Sequence, residues 1–102
     1  MAGSLDFVIR NPIYGSATKT SYTGTAGSAT IPATSQSVLV WCTSVAYVRI
    51  GATLATTGDL PLPANAPIII PIPASAQTGA PITVSAVQDS AGGSLYCFGM
   101  SE

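Results

Sequence analysis

The chain has 102 residues, enough for one domain with one hydrophobic core. Apolar residues make up 47% of it and charged residues only 7%, against about 25% in an ordinary globular domain. There is no histidine, and the charged set is three basic and four acidic residues. This composition excludes intrinsic disorder, disfavours nucleic-acid binding because few phosphates can be neutralised, and removes most general-base and metal chemistry. We therefore expect no catalytic residues, no cofactor and no metal.

No membrane or export segment is predicted. The longest apolar stretch, Ala66 to Ala74, is nine residues long and holds three prolines, whereas a spanning helix needs about 20 residues. The N-terminal sequence MAGSLDFVIR lacks a cationic start followed by an apolar run. We expect no membrane partner and no export by a signal peptide.

Strand-length runs between turn residues predict an all-β protein, because no stretch has helical periodicity and glycine, proline, serine and threonine are scattered throughout. The expected architecture is a single β-sandwich or jelly-roll-like domain, residues 1–102, of about eight short antiparallel strands. The predicted strands are Leu5 to Arg10, Thr20 to Thr23, Ala29 to Ile31, Gln36 to Cys42, Val45 to Ile50, Ile68 to Ile72, Ile82 to Val87 and Ser94 to Met100.

The first third of the chain allows two interpretations. The stretch from Tyr14 to Thr34 is rich in Ser, Thr, Ala and Gly and poor in large apolar residues. One interpretation takes residues 11–35 as an extended arm ordered by a partner, with Tyr14 and Tyr22 as the contact residues. The other takes this stretch as a pair of short strands that close the domain's own sandwich.

The strand from Gln36 to Cys42 is apolar on both faces, so it is either central in the sandwich or covered by another subunit. Trp41 lies in it, which favours core or subunit-interface packing for its ring. The next strand, Val45 to Ile50, is expected to form a hairpin with it and to leave Tyr47 and Arg49 outside.

Six prolines between Pro61 and Pro81 exclude a central strand there. Ile68 to Ile72 is predicted to be an edge strand or a strap laid over a neighbour, and Ile68 and Ile70 are interface candidates. In the predicted strand from Ile82 to Val87, the alternating residues Ile82, Val84 and Ala86 are expected to point inward. The following segment, Asp89 to Gly93, is expected to be a hairpin turn into the last strand.

Catalytic interpretations of the remaining side chains are weak. Serines have no histidine or suitably placed lysine to activate them. Lys19 lies in a stretch that lacks the spacing of a phosphate-binding loop. Asp59 and Asp89 are a conceivable glycosidase pair, but turn roles are favoured for both. Cys42 and Cys97 are the only cysteines, and we expect reduced, buried thiols rather than a disulfide.

A surface with so few charged residues favours stable contact with other protein subunits, because soluble monomers carry many more charged surface residues. We therefore expect stable self-assembly, with a homo-trimer favoured.

The stretch from Val45 to Leu62, VAYVRIGATLATTGDLPL, resembles a pattern in small structural proteins of tailed bacteriophages. In that pattern a strand ending in Gly precedes an Ala-Thr-Thr turn and a Leu-Pro-Ala start. The C-terminal VSAVQDSAGGSLYCFGMSE is similar to their last hairpin. The resemblance covers residues 36–102; the proline-rich strap and the first 35 residues depart from it.

The resemblance implies a non-enzymatic capsid decoration (cement) protein on the outside of the virion, made in the bacterial cytoplasm. Its partners would be the major coat protein and further copies of itself. The alternative is a minor head or tail component, or a receptor- or carbohydrate-binding module, for which Tyr47 beside Arg49 is the best aromatic and polar pair.

Overall fold

The computed structural model describes residues 11–101, and the predicted strand from Leu5 to Arg10 lies outside them. The protein is an all-β sandwich of two antiparallel sheets, which confirms the predicted fold class. Its strands are β1 (Asn11–Pro12), β2 (Thr18–Tyr22), β3 (Gly27–Ile31), β4 (Ser37–Cys42), β5 (Ala46–Ile50), β6 (Leu60–Leu62), β7 (Ile68–Pro71), β8 (Ile82–Gln88) and β9 (Gly93–Ser101). Within the described residues, no helix is long and apolar enough to cross a membrane.

The strand order is that of a jelly roll. One sheet, sheet A, has the order β2-β9-β4-β7 with β1 also paired to β9, and the other, sheet B, has the order β3-β8-β5-β6. The pairs β2 with β9, β3 with β8, β4 with β7 and β5 with β6 are nested in the sequence, as in a long hairpin rolled up on itself. Most consecutive strands therefore lie in opposite sheets.

This topology corrects two predicted hairpins. β4 belongs to sheet A and β5 to sheet B, so Thr43 to Val45 crosses between the sheets. The same holds for β8 and β9, which the turn from Asp89 to Gly92 joins across the sandwich. The true hairpin is β5–β6, where Leu60 pairs with Val48.

The core lies between the sheets and follows the predicted alternation. In β4 the inward residues Val38, Val40 and Cys42 are fully buried, while Leu39 and Trp41 face out and are half-buried. β4 is central, between β9 and β7, and among residues 11–101 β7 is an edge strand, as predicted. Edge position also explains why β6 tolerates Pro61, since a proline needs no partner on the free side.

The segment interpreted as an arm contains two strands of the sandwich. Thr18–Tyr22 pairs with β9 along all of its length, and Gly27–Ile31 does the same with β8. The connection between them crosses from sheet A to sheet B. Tyr22 is 2% exposed and belongs to the core, so its ring is not available to a partner.

Candidate functional site

The two outer faces of the sandwich differ in what covers them. On sheet B, the loop from Gly51 to Asp59 folds back over β8, and the backbone N–H of Ala55 donates to Ser85 Oγ at 2.8 Å. Ser85 and Val87 point outward but are buried. The loop is held by Asp59, whose Oδ2 accepts from the backbone N–H of Thr56 at 2.7 Å. The outer face of sheet A has no such cover from the described residues.

Outward side chains of neighbouring strands meet in rows on sheet A. Trp41 lies opposite Tyr96, which is also opposite Lys19, and in the next row Leu39 lies opposite Phe98 and Ile69. Except for Lys19, every side chain in these two rows is apolar or aromatic. We call this surface the aromatic face and define it by Tyr14, Lys19, Leu39, Trp41, Tyr96 and Phe98.

Three side chains form a stack across the sheet. The Trp41 and Tyr96 rings are parallel, with centroids 4.8 Å apart and planes at 9°. Lys19 Nζ lies 5.4 Å from the Tyr96 centroid, within the range of a cation–π contact. Because Lys19 and Trp41 sit on strands at opposite sides of β9, both faces of the Tyr96 ring have a neighbour. The ring offers mainly its edge to an incoming molecule.

Tyr14 extends this surface beyond the strands. It lies in the turn between β1 and β2 and is 85% exposed. Its ring packs edge-on against Phe98, with centroids 6.4 Å apart and planes at 61°. An aromatic ring this exposed contributes little to the hydrophobic core of its own domain. Burial of the ring becomes strongly favourable only when a second molecule covers it.

The predicted interface residues fall on both sides of the sheet. Tyr14 and Trp41 lie on the aromatic face. Ile68 and Ile70 instead pack against the core, and the residue of that strand that faces out is Ile69, which is 44% exposed. The strap prediction therefore placed the strand correctly at an edge but chose the inward-pointing residues.

Sequence reasoning missed most members of the aromatic face. Tyr96 and Phe98 alternate with buried Leu95 and Cys97, so the period-two pattern of β9 already places the two rings together. Nothing local reveals that they meet side chains of β2 and β4, because those contacts join strands far apart in the chain. Lys19 matches no binding motif in the sequence. Its position opposite Tyr96 follows only from the pairing of β2 with β9.

Four polar side chains on the sheet B side of the sandwich are bonded to one another in two pairs. Arg49 Nη1 lies 3.5 Å from Asp59 Oδ1 in a partly exposed salt bridge. The Tyr47 hydroxyl donates to Asp89 Oδ1 at 3.1 Å, and this bond together with the carboxylate charge raises the pKa of Tyr47. Asp59 has the turn role expected for it, while the Asp89 carboxylate binds a side chain.

The described residues offer little to a catalytic interpretation. They contain no cluster of three His, Cys, Asp or Glu side chains that could hold a metal ion. A shallow cavity of about 90 Å³ between Gly51 and Thr83 is lined mostly by small side chains, and its volume is well below the several hundred Å³ of most ligand sites. Cys42 and Cys97 are buried free thiols, and burial raises the pKa of both.

Comparisons with protein families, with curated proteins and with solved structures find no match to this chain.

Proposed function

We propose that this protein is a non-enzymatic structural subunit of a bacteriophage particle, and specifically a capsid decoration protein. In this role it binds the outside of the assembled coat shell together with further copies of itself. The proposal draws on the resemblance of Val45 to Leu62 and of the C-terminal segment to small phage structural proteins. A β-sandwich fold by itself does not determine function, whereas the side chains on its surface determine what the protein can bind.

The aromatic face is the observation that carries the proposal. It is a row of rings that no loop among residues 11–101 covers, on a chain with seven charged residues. A free monomer gains nothing from such a surface and becomes prone to aggregation, whereas a subunit of a permanent assembly buries it. Apolar contacts of this kind persist over a wide range of salt concentration, while surface ion pairs are screened.

Shell stabilisation follows from binding one state only. A subunit that binds the assembled lattice but not free coat protein lowers the free energy of the lattice by mass action. The strap from Ile68 to Pro73 is our candidate coat contact. Among the described residues β7 is hydrogen-bonded only to β4, and Ile69, which faces outward from it, is 44% exposed.

The alternative, a carbohydrate- or receptor-binding module, has weaker support. A sugar platform needs a free ring face with free polar groups beside it. The Tyr47 hydroxyl is bonded to Asp89 and Arg49 is paired with Asp59. On sheet A, Trp41 and Tyr96 cover one face of each other's rings.

Copy number in purified particles tests the proposal. Particles of the phage that encodes the chain are purified, and the chain is quantified by mass spectrometry against the major coat protein as internal standard. A decoration protein is expected in hundreds of copies per particle. A few copies per particle would support a tail or fibre component instead, and absence from the particle would reject a virion role.

Shell stabilisation is measured separately. Shells that lack the protein are melted with and without added purified protein, and the expected result is a rise in the shell's melting temperature that saturates at the copy number found in particles. Bovine serum albumin at the same mass concentration is the control for nonspecific protection.

A further inference from the structure

Two charged side chains of the described region lack an ionic partner there. Residues 11–101 contain four charged side chains, and Arg49 and Asp59 pair with each other. Lys19 and Asp89 each lie beyond salt-bridge distance of any opposite charge among those residues. In a chain with seven charged residues, a cation and an anion with no ionic partner among residues 11–101 are a large part of the charge that the surface offers for recognition.

The two charges lie on opposite sides of the sandwich. Lys19 stands on the aromatic face of sheet A, over the Tyr96 ring. Asp89 accepts the hydroxyl of Tyr47, which points outward from sheet B. Since packed sheets are about 10 Å apart and each side chain extends away from the other sheet, Lys19 and Asp89 of one copy do not meet.

Asp89 also has apolar surroundings. Val45 lies beside it, with the Asp89 N–H donating to the Val45 carbonyl oxygen at 3.2 Å, and is 44% exposed. Tyr47 lies opposite Pro61, and Pro61 is exposed. We call this surface the Asp89 patch and define it by Val45, Tyr47, Pro61 and Asp89. The aromatic face thus carries one cation, and the Asp89 patch carries one anion.

We propose that the aromatic face of one copy packs against the Asp89 patch of the next copy, where Lys19 pairs with Asp89. Pairing two aromatic faces would bring two Lys19 ammonium groups into one desolvated interface with no carboxylate from the described residues, which is costly. Packing the face against the patch gives each buried charge an opposite partner and fixes the register of the contact.

The size of the face suits a protein partner. The whole outer side of sheet A, with four strand positions about 4.8 Å apart and the nine residues of β9 rising about 3.3 Å each, has a projected area of at most about 600 Å². Stable interfaces bury about 800 Å² of accessible surface on each partner, so the aromatic face supplies the centre of a standard contact, and exposed residues around it, such as Ile69, supply the rest. The contact is heterologous, and copies joined by it close into a ring or continue as a stack according to the rotation between them. It concerns the protein alone and does not depend on a coat shell.

Charge reversal tests the pairing on purified protein by sedimentation velocity over a range of micromolar concentrations. Lys19→Glu and Asp89→Lys are each expected to raise the dissociation constant at least ~10-fold, and the double variant to return it close to the wild-type value. Asp89→Asn is a milder variant that keeps an acceptor for Tyr47 and is expected to weaken association less. Circular dichroism checks that each variant is folded.

Mixing the two single variants gives the sharpest readout. In the mixture, the Glu at position 19 of one variant can pair with the Lys at position 89 of the other. The unchanged Lys19 of the Asp89→Lys variant can pair with the unchanged Asp89 of the Lys19→Glu variant. An equimolar mixture is therefore expected to associate more strongly than either variant alone. Ser28→Glu and Ser28→Lys, on the exposed side of β3, control for the introduction of a charge of either sign away from the two surfaces and are expected to have no effect.

Three results would overturn the proposal. The wild-type protein could remain a monomer up to hundreds of micromolar, which would leave the aromatic face to a different protein. The reversals at Lys19 and Asp89 could act no more strongly than those at Ser28. A mixture of wild-type and Lys19→Glu protein that associates more strongly than either alone would indicate pairing of two aromatic faces instead.

Discussion

The Tyr22 hydroxyl and Ser44 form a hydrogen-bonded junction at one end of the sandwich. The hydroxyl donates to the Ser44 carbonyl oxygen at 2.7 Å, and the Ser44 N–H donates to the Tyr22 oxygen at 3.2 Å. Ser44 Oγ lies 3.0 Å from the carbonyl oxygen of Ala91 and 3.1 Å from that of Gly92. The junction therefore ties the end of β2 to the two crossovers that follow β4 and β8.

Removing the Tyr22 hydroxyl is expected to destabilise the fold. Tyr22→Phe keeps the buried ring but leaves the Ser44 carbonyl and amide without this partner, and an unsatisfied buried group costs about 1–3 kcal/mol. We expect the free energy of unfolding to fall by about 2 kcal/mol in urea denaturation, with an unchanged m-value. Tyr14→Phe is the matched control, because Tyr14 is 85% exposed; it is expected to change stability by less than about 0.5 kcal/mol. Equal effects of the two variants would contradict the structural role of the junction.

The positions of most described strands were readable from the sequence, with β6 (Leu60–Leu62) missed, but the partner of each strand was not. Alternation identified β4, β5 and β8 and assigned the inward faces of β5 and β8 correctly, whereas β4 is apolar on both faces and its inward side was left open. The turn-rich segments after β4 and β8 favoured hairpins, since glycine and serine suit a tight turn and a crossover equally well. In the jelly roll β4 instead pairs with β9, with Trp41 opposite Tyr96, and no local signal carries that register.

The burial of Tyr22 was not readable for a similar reason. Its neighbours in β2 are threonine, lysine and serine, which give no apolar inward face to recognise. What allows a tyrosine to be buried there is the acceptor supplied by Ser44, from a different turn. The aromatic face was only partly predictable because it is assembled from strands that are distant in sequence.

Proteolysis at Lys19 distinguishes a strand of the domain from a partner-ordered arm. Lys19 lies in the middle of β2, opposite Tyr96, and a protease needs several residues of the strand to open before it can cut. We expect free protein to resist trypsin at Lys19 under native conditions and to be cut there rapidly in urea. Rapid native cleavage at Lys19, with the remaining chain intact, would restore the arm interpretation.

At Gly27 the backbone of β3 lies in close contact with the backbone of β2. A methyl group on Gly27 would collide with the backbone carbonyl oxygen of Ser21, which cannot move without displacing β2. Gly27→Ala is therefore expected to lower the free energy of unfolding by about 2 kcal/mol or more. Gly58→Ala is the control: its new methyl group would lie 3.7 Å from the nearest atom, the Thr56 Oγ1, and is expected to be tolerated. Thermal melting of both variants measures the difference, and equal melting temperatures would contradict this packing.

The two buried thiols are expected to be chemically inert in the folded protein. Burial raises the pKa of Cys97 to about 12, with a smaller contribution from nearby Cys42, whose own pKa is also raised by burial. Relative to an ordinary thiol of pKa 9.0, this lowers the Cys97 thiolate fraction at neutral pH by about 1,000-fold. Intact mass after iodoacetamide at pH 8 is expected to show no adduct in the native state and two adducts in denaturant without reductant. Two missing adducts in denaturant would instead indicate a disulfide.

The same pKa difference makes stability depend on pH in a defined window. The unfolded Cys97 thiol ionises near the ordinary thiol pKa of 9.0, whereas the folded thiol holds its proton up to about 12, so only the unfolded state gains from deprotonation in between. This contribution is fully present below pH 9.0 and declines as pH rises toward 12. At pH 10.5 it amounts to a loss of about 2 kcal/mol relative to neutral pH. Cys97→Ala lowers stability at every pH by lost packing but removes this slope. Urea unfolding of both proteins at pH 7.5 and 10.5 therefore gives a smaller pH effect for Cys97→Ala, and parallel pH profiles would show that Cys97 is not the group responsible.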